Sequence, residues 1–400
     1  MKTVGIVAEY NPFHNGHAYH IAEAKRQTGA DLALVVMSAD FVQRGEPAIA
    51  DKFTRTKWAL DGGADFVFEL PEVFSCACAE RFASGAVRIL AGTGIVDALC
   101  FGSESGDIKL LQKAADTEPD SEKLRTALAD GMPYPKAMAF ASGGPLAPND
   151  ILGVEYLRAI KKYAPAMEAH AIKRIGGYDE TELSGEYSSA AAIRRALAPT
   201  ADLQRISERL FDELNSALPG EVLKDVSSML REGLCPASDE RLSEVLLYRL
   251  RTMTAEDIAL LPEVSEGLEN LFARHAAEAG DYRRMLAAVK SKRYTMARLK
   301  RICTCALLGV TEELQRAASF DCNYLYARLL GLQTGFRDIL GDIAERSTIP
   351  LIFRREDRAL LPPEAARVLA VTELAHKVHA LARPYEKAAD EDAEHMLVKA

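Results

Sequence analysis

The sequence lacks several features that would place it in a common functional class. Its 400 residues contain no apolar run that approaches the roughly 20 residues of a membrane-spanning helix. The sequence begins with a strand-like run rather than a basic and apolar leader, so we expect a cytoplasmic protein with no membrane association. It has no G-x-x-x-x-G-K-[ST] loop and no G-x-G-x-x-G after its first strand, which excludes two common nucleotide-binding signatures.

Cysteine is scarce and irregularly spaced. The seven cysteines are an odd number, and their positions suggest no disulfide framework. Cys76/Cys78 and Cys303/Cys305 form C-x-C pairs, whereas structural zinc sites more often use C-x2-4-C pairs. We therefore expect buried, reduced thiols and assign no metal site to the chain.

An excess of positive charge is also missing. The formal net charge is −9, which argues against a general nucleic-acid binder. The distribution matters more than the sum, because residues 282–302 contain eight lysines and arginines and no acidic side chain. Such a segment is either a local phosphate-binding surface or a solvated face that pairs with acids elsewhere.

What the sequence does contain is a distinctive stretch near its start, TVGIVAEYNPFHNGHAYHIA at residues 3–22. The apolar run Val4–Ala8 predicts a strand that is buried on both faces, as in a parallel sheet. A polar turn follows, and from Ala18 to about Gln27 the pattern is helical. His14 and His17 therefore lie where a strand gives way to a helix.

Two histidines at such a point have a chemical use. The free backbone N–H groups and the dipole of a helix N-terminus attract phosphates, and two imidazoles add hydrogen bonds and positive charge. Gly16 has no Cβ, so a ligand can lie directly against the backbone. The stretch predicts a nucleoside-triphosphate site; the alternative is that His14 and His17 are ordinary loop and cap residues.

The first half of the sequence alternates strands and helices. Besides the first strand, strands are predicted at 31–38, 64–70, 96–101 and 170–173, with helices at 51–62, 77–91 and 151–163. Right-handed crossovers then give an α/β fold with a parallel sheet, and ligands gather at the carboxyl ends of its strands. Asn149 or Asp150 is the expected N-cap of the helix at 151–163.

Beyond Pro199 the pattern is mainly helical. Helices are predicted at 203–218, 221–232, 239–251, 266–278, 296–308, 311–318, 324–332 and 364–381. Residues 348–352 are predicted to be extended, and the acidic tail from Ala388 to fray. His376 and His379 lie three apart on one helix, but no cysteine or carboxylate is placed to complete a metal site. We expect two domains, 1–198 and 199–400.

The motif NPFHNGH after a first strand resembles the H-x-G-H nucleotidyltransferase superfamily, an α/β fold of Rossmann type. A closer resemblance, to the tRNA(Met) cytidine acetate ligase family, rests on MSADFVQRGEPA at 37–48, DKFTR at 51–55 and FGSE at 101–104. In the second half, RYT at 293–295 is its clearest signature. The resemblance implies a Rossmann-like nucleotidyltransferase domain with a parallel sheet, followed by a mainly α-helical domain that contacts tRNA.

The resemblance also implies an ATP site in which His14 and His17 are the catalytic candidates. The segment YSSAAAIRR at 187–195 resembles the family's phosphate-binding segment, although Ala191 stands where a threonine is common. For Asn149, contact with ATP stands beside the helix cap as a second role. The implied ATP-binding set is Val7, Ala8, Glu9, Tyr10, Asn11, Pro12, Phe13, His14, Asn15, Gly16, His17, Ala18, Tyr19, His20, Gly102, Asn149, Arg174, Ser188 and Ser189.

With this resemblance, RNA contact is the favoured interpretation of the basic segment. Arg44, on a turn bounded by Gly and Pro, reaches a phosphate or the tRNA backbone, or is a plain surface arginine. Lys52 and Arg55 lie in the first turns of a helix, where cations need a partner: an anionic ligand, or Asp51 or Glu46. The expected tRNA-binding residues are Arg44, Lys290, Lys292, Arg293, Arg298, Lys300 and Arg301.

The implied reaction joins acetate to tRNA. ATP activates acetate as acetyl-adenylate, and the acetyl group passes to N4 of a cytidine, the anticodon wobble position of elongator tRNA(Met). We expect Mg²⁺, bound mostly through phosphate oxygens and water, and no acetyl-CoA site. Two other classes stay open: an adenylyltransferase acting on a small phosphorylated substrate, and a non-catalytic tRNA-binding protein. The sequence does not predict the oligomeric state.

Overall fold

The computed structural model describes residues 1–400 except 143, 145, 176–181, 201–204 and 396. Its strands are β1 Thr3–Ala8, β2 Leu32–Ser38, β3 Phe41–Val42, β4 Glu46–Pro47, β5 Phe66–Leu70, β6 Ala98–Ser103, β7 Glu168–Lys173, β8 Ala327–Leu332, β9 Leu351–Ile352 and β10 Val398–Lys399. The expected helix at 203–218 begins outside the described residues.

The helices of the first half are α1 Asn15–Thr28, α2 Lys52–Asp61, α3 Glu72–Ser75, α4 Ala79–Gly92, α5 Ile108–Asp116, α6 Ser121–Ala129, α7 Tyr134–Ala141, α8 Pro148–Tyr163 and α9 Ala190–Leu197. Those of the second half are α10 Glu208–Ala217, α11 Gly220–Arg231, α12 Ser243–Thr252, α13 Ala255–Ala259, α14 Leu268–Glu278, α15 Tyr282–Val289, α16 Met296–Leu308, α17 Glu312–Phe320, α18 Ile339–Arg346 and α19 Pro363–Leu381. Within the described ranges, no helix combines the length and apolarity needed to cross a bilayer.

One large sheet organises the described chain. Its strand order is β10-β8-β5-β2-β1-β6-β7, and β9 pairs with β8. β5, β2, β1, β6 and β7 are parallel neighbours, because helices connect them through crossovers. The predicted α/β fold with a parallel sheet is confirmed. β1 lies between β2 and β6, where the chain changes direction across the sheet, and such a switch point is where ligands bind.

The central strands are buried on both faces. In β2, Leu32 and Leu34 belong to one apolar core, whereas Ala33 and Val35 belong to the other. The first core includes residues of α4 and α8, and the second includes residues of α1 and α2. The continuous apolar runs seen in the sequence follow from this double cover, since both faces of each strand must be apolar.

The predicted helix at 324–332 is wrong. Ala327–Leu332 forms strand β8, which is buried throughout and pairs antiparallel with β5. A short apolar run does not distinguish a buried strand from a buried helix by its periodicity. Gly331 also lets α2 approach β8, because a Cβ there would lie 2.6 Å from Thr56 Cγ2.

The described residues of the tail after Ala388 pack on the protein rather than fraying. Asp392 is buried, and its Oδ2 accepts hydrogen bonds from Lys52 Nζ over 3.1 Å and from Arg328 Nη1 over 2.6 Å. β10 then pairs with β8 at the edge of the sheet. The acidic composition of the tail suggested solvation, but one of its carboxylates neutralises two buried cations.

Neither Lys52 nor Arg55, the two cations early in α2, has the partners that the sequence suggested. Lys52 pairs with Glu69 and Asp392 rather than with a ligand or with the neighbouring acids named above. Arg55 donates to the backbone carbonyl oxygens of Glu9, Ser38, Ala39 and Ala50. Both side chains are therefore structural.

The sheet takes strands from both halves of the sequence. β8, β9 and β10 come from the second half and extend the sheet built by the first. The division into residues 1–198 and 199–400 stays a prediction. All seven cysteines are free; most are buried, while Cys322 is exposed.

Candidate active site

A cavity of about 270 Å³ opens at the carboxyl ends of β1, β6 and β7. Residues of α1, α8, α9 and the β3–β4 hairpin complete its walls. Thirteen members of the predicted ATP-binding set line it: Val7, Ala8, Glu9, Tyr10, His14, Gly16, His17, Tyr19, His20, Gly102, Asn149, Arg174 and Ser189.

The remaining six members of that set do not line the cavity. Asn11 Oδ1 accepts from the Ile49 N–H, and Asn15 Nδ2 donates to the Ser216 carbonyl oxygen over 2.9 Å. The Ser188 hydroxyl donates to the Gly185 carbonyl oxygen. The residues that do not line the cavity are Asn11, Pro12, Phe13, Asn15, Ala18 and Ser188.

His14 and His17 both lie at the N-terminus of α1. This helix begins at Asn15, before the predicted start at Ala18. His14 is the N-cap, and its Nδ1 accepts from the Gly16 N–H over 3.1 Å. His17 Nδ1 accepts from the His14 N–H over 3.3 Å, and the two ring centroids lie 3.7 Å apart. The cap interpretation and the ligand interpretation of these histidines are thus compatible, since only Nδ1 is used for capping.

Burial and nearby positive charge keep the histidines of the cavity neutral. Burial, with the charges of Arg174 and Arg194, lowers the pKa of His14 to about 3. Burial also lowers the pKa of His17 well below its usual range and that of His20 to about 4. Because Nδ1 of His14 and of His17 accepts a backbone N–H, the ring proton resides on Nε2, which can donate to a ligand oxygen.

Arg174 brings a permanent positive charge to the same cavity. It follows β7, and its backbone N–H donates to the Ser103 carbonyl oxygen over 2.9 Å. Gly102 lies beside it, since a Cβ at that position would be 3.4 Å from Arg174 Cγ. Arg174 Nε is buried and has no partner among the described residues, so it can donate a hydrogen bond to an anionic ligand.

Asn149 is held by a carboxylate that the sequence analysis did not include in the site. Its Nδ2 donates to Glu104 Oε1 over 2.6 Å, and the Asp150 N–H donates to Glu104 Oε2 over 3.1 Å. The predicted N-cap is wrong, because α8 begins at Pro148 with Ala147 as its cap residue. The available signal was FGSE at 101–104, in which Glu104 lies two residues after Gly102 of the cavity lining.

Helix α9 adds Arg194, another residue missing from the predicted set. Ser189 caps this helix by accepting from the Ala192 N–H over 3.1 Å. Arg194 lines the cavity and donates from Nη1 to the Asn11 carbonyl oxygen over 2.6 Å. Ala191, at the position where a threonine is common in the family, also lines the cavity.

The β3–β4 hairpin closes another side of the cavity with Gln43 and Arg44. The Gln43 N–H donates to Glu9 Oε1 over 2.9 Å, which ties the hairpin to the end of β1. Gly45 has a φ of 72°, and a Cβ there would lie 2.3 Å from the Arg301 backbone nitrogen. Thr304 Oγ1 donates to the Gly45 carbonyl oxygen, so α16 packs directly on this hairpin.

The basic segment contains exposed side chains and side chains held in buried or half-buried contacts. Lys290, Lys292 and Arg293 are exposed, although Arg293 Nη1 also lies 3.9 Å from Glu266 Oε2. Lys300 pairs with Glu46 and Asp239, and Arg301, which is 9% exposed, pairs with Glu263. Arg298 donates to the Glu263 carbonyl oxygen and the Ser265 hydroxyl. The paired residues connect α16 to its neighbours, and the exposed ones remain candidates for RNA contact.

Comparison with known proteins places this geometry in a family. The HIGH Nucleotidyl Transferase family model matches residues 1–394. The tRNA(Met) cytidine acetate ligase of Acetivibrio thermocellus is 40% identical over 375 residues, covering 89% of each chain. That of Fervidobacterium nodosum is 37% identical over 369 residues, covering 88% of this chain and 84% of its own.

Solved structures agree with the sequence relatives. Thermotoga maritima TmcAL bound with alpha-thio ATP has a TM-score of 0.88 at 32% identity, covering 100% of this chain and 99% of its own. The apo form has a TM-score of 0.89 at 31% identity, with both chains covered completely. With His14 and His17 at the start of α1 in the cavity, these matches show that the chain belongs to the HIGH nucleotidyltransferases and, among them, to the tRNA(Met) cytidine acetate ligase family.

Proposed function

We propose that the protein uses ATP and free acetate to acetylate N4 of a cytidine in tRNA(Met), at the anticodon wobble position of the elongator tRNA. The observation that carries the proposal is the cavity, in which two neutral histidines at a helix N-terminus share one space with Arg174. This combination suits a polyphosphate. The family relatives bear the name of this reaction, and one structural relative was bound with an ATP analogue.

The first step joins acetate to AMP. An acetate oxygen attacks the α-phosphorus, the bond between that phosphorus and its bridging oxygen to the β-phosphate breaks, and pyrophosphate leaves. Positioning and neutralisation of charge dominate such a step, so no covalent enzyme intermediate is needed. His14 and His17 would donate from Nε2 to phosphate oxygens, and Arg174 and Asn149 would hold the nucleotide.

The second step transfers the acetyl group. The cytidine N4 attacks the acyl carbon, the bond to AMP breaks, and N4 loses a proton. The exposed basic residues Lys290, Lys292 and Arg293 would bind the tRNA backbone. These residues directly precede α16, which packs on the hairpin that carries Gln43 and Arg44. No acetyl-CoA is used in this scheme.

The residues of the cavity fit a Mg²⁺ ion that is bound chiefly through the nucleotide. Glu9 is the acidic side chain among the described lining residues, and one of its oxygens already accepts from Gln43. A single carboxylate suits an ion that keeps phosphate oxygens and water as its other ligands. When bound, the ion supplies neutralisation of phosphate charge.

Isotope exchange between pyrophosphate and ATP tests the first step. We expect exchange that requires acetate and does not require tRNA, and that is lost in a His14→Ala/His17→Ala variant. Exchange with a small phosphorylated substrate in place of acetate would support a plain adenylyltransferase instead. Absence of any exchange, with tRNA still bound, would support a non-catalytic tRNA-binding protein.

A further inference from the structure

Three side chains that commonly ligate metals converge at the C-terminal end of the chain. His376 Nε2 lies 3.2 Å from Asp390 Oδ1, and His395 Nε2 lies 2.6 Å from Asp390 Oδ2. The donor atoms of the three residues all lie within 4.8 Å of one another. This cluster is separate from the ATP cavity, whose described lining contains none of the three.

A buried carboxylate orients the first histidine. Asp40 Oδ2 lies 2.8 Å from His376 Nδ1, and both side chains are almost fully buried. Asp40 is itself held, because its Oδ1 accepts from the Lys52 N–H over 2.8 Å. This carboxylate–histidine contact is the arrangement found behind metal-ligating histidines, since it places the proton on Nδ1 and leaves the Nε2 lone pair for the metal.

The second histidine is also fixed in orientation. The His395 ring stacks on Phe53, with centroids 3.9 Å apart and planes 14° from parallel. Both histidines direct Nε2 at the same carboxylate. Either a proton on each Nε2 makes the two contacts, which leaves His376 doubly protonated because its Nδ1 also meets Asp40, or one metal ion serves all three groups.

We propose that His376, Asp390 and His395 form a Zn²⁺ site. Two imidazoles and a carboxylate are ligands that zinc accepts, and the zinc distances of about 2.0–2.2 Å place tetrahedral donors roughly 3.3 Å apart. The 3.2 Å separation of His376 Nε2 from Asp390 Oδ1 matches that spacing, whereas His395 Nε2, at 2.6 Å from Asp390 Oδ2, would have to move outward to admit the ion. Asp390 is exposed and His395 half-buried, so an ion and its water ligand have access from solvent.

The surrounding charge favours a cation. Beyond Asp40 and Asp390, the adjoining residues Asp392 and Glu69 balance the two cations Lys52 and Arg328. The acids therefore outnumber the bases around the cluster, which lowers the cost of bringing in a divalent ion.

A metal ion at this site would attach the C-terminal tail to α19. Its ligands lie on α19 and on both sides of Asp392, the tail residue that is buried between Lys52 and Arg328. His379, the partner considered from the sequence, takes no part, since its Nε2 lies 2.7 Å from the Ala48 carbonyl oxygen. The sequence does not reveal the site because Asp390 and His395 come from a different segment.

Metal binding to the full-length protein tests the proposal directly. After chelator treatment, equilibrium dialysis against ZnCl₂ should give one tightly bound Zn²⁺ per chain, and Zn²⁺ should raise the melting temperature. His395→Ala and Asp390→Ala, both at accessible positions, should each abolish the bound ion and the shift in melting temperature. Asp40→Asn should weaken binding about 10–100-fold, as loss of an orienting carboxylate does elsewhere.

A matched control variant and a Co²⁺ spectrum distinguish binding at this site from binding to other histidines or to cysteines. His170→Ala removes a histidine that faces a lone glutamate at the far edge of the sheet, and it should leave Zn²⁺ binding unchanged. Co²⁺ substitution should give visible bands without a thiolate charge-transfer band. Failure to retain Zn²⁺, retention in His395→Ala and Asp390→Ala, or a thiolate band would overturn the proposal, and the first result would leave protons as the bridging charges.

Discussion

The ATP cavity and the ion network beneath α2 both bury ionisable side chains, yet they handle them in opposite ways. In the network, Lys52, Glu69, Arg328 and Asp392 form a ring of four ion pairs with N···O distances up to 3.5 Å. In the cavity, Arg174 Nε and His20 Nε2 have no partner within the described part of the chain. In the network every charged group has an oppositely charged partner, although Asp392 Oδ1 accepts no hydrogen bond from the described residues, whereas the cavity offers donors that a ligand can take.

The difference also appears in the protonation of each region. Burial alone would raise the pKa of Asp392, but Lys52 and Arg328 outweigh burial and hold that pKa well below its usual range. In the cavity no acid offsets the burial of His14, His17 and His20, and their pKa values fall. Paired groups keep their charge and stabilise the fold, whereas unpaired groups become neutral and remain available as donors.

Lys52→Met should have the largest effect, and on stability alone. It leaves the buried carboxylates of Glu69 and Asp392 with Arg328 as their shared cation, so one buried negative charge is uncompensated, which costs about 3–5 kcal/mol of unfolding free energy. Urea unfolding measures this loss, and calorimetric titration of the folded variant should give an ATP affinity close to that of the parent. Lys57→Met, which removes a half-exposed pair with Asp225, should cost at most about 1 kcal/mol. Equal losses of unfolding free energy in Lys52→Met and Lys57→Met would contradict the claim that the buried network stabilises the fold more than an exposed ion pair does.

His14→Asn should have the opposite effect: it should lower activity and leave stability nearly unchanged. Asparagine can still cap α1, so the unfolding free energy should change by less than about 1 kcal/mol. Loss of the Nε2 donor should lower kcat about 10²–10³-fold. Single-turnover formation of the adenylate measures the effect, with His170→Asn as the control. Near-parental turnover would contradict the catalytic role of His14.

Replacing Lys292 and Arg293 by Gln should weaken tRNA binding and leave both regions intact. We expect a KM for tRNA about 10-fold higher, and a slope of log binding constant against log salt concentration that is less steep by about 1.4, since each of the two phosphate contacts contributes about 0.7. ATP–pyrophosphate exchange should not change. The matched pair of exposed lysines, Lys109 and Lys113 on α5, should have no effect on tRNA binding when replaced by Gln.

The smallest expected effect is a pH dependence of stability. The pKa of His14 is about 3 in the folded state against 6.5 in the unfolded chain, so the unfolded state binds the proton first as the pH falls. The stabilisation is complete above pH 6.5, and about 1 kcal/mol is lost between pH 6.5 and 5.5 for each such histidine. Urea unfolding across this range should give a shallower slope for His14→Asn than for the parent, and identical slopes would contradict the assignment.

The sequence predicts the cavity better than the network for a physical reason. A strand followed by NPFHNGH is a local signal, because the strand end, the helix N-terminus and both histidines are contiguous in the chain. Arg194 and Glu104 were missed although each lies within a segment that the sequence analysis singled out. Their roles depend on contacts with Asn11 and Asn149, which are distant in sequence.

The network and β8 illustrate what local patterns do not contain. Asp392 lies 340 residues from Lys52, and an acidic tail has the same composition whether it is solvated or docked. Likewise, the run Ala327–Leu332 is strand rather than helix because β5 offers an open edge for pairing, which no local propensity encodes. Long-range pairing, rather than weak local preference, accounts for these errors.

Mass spectrometry of nucleosides tests the central claim most directly. Unmodified tRNA(Met) would be incubated with the protein, ATP, Mg²⁺ and isotope-labelled acetate, then digested. We predict labelled N4-acetylcytidine, which is absent with His14→Ala/His17→Ala and present with His170→Ala. Unlabelled tRNA with a fully folded parent protein, or acetylcytidine formed equally well by the double variant, would contradict the account.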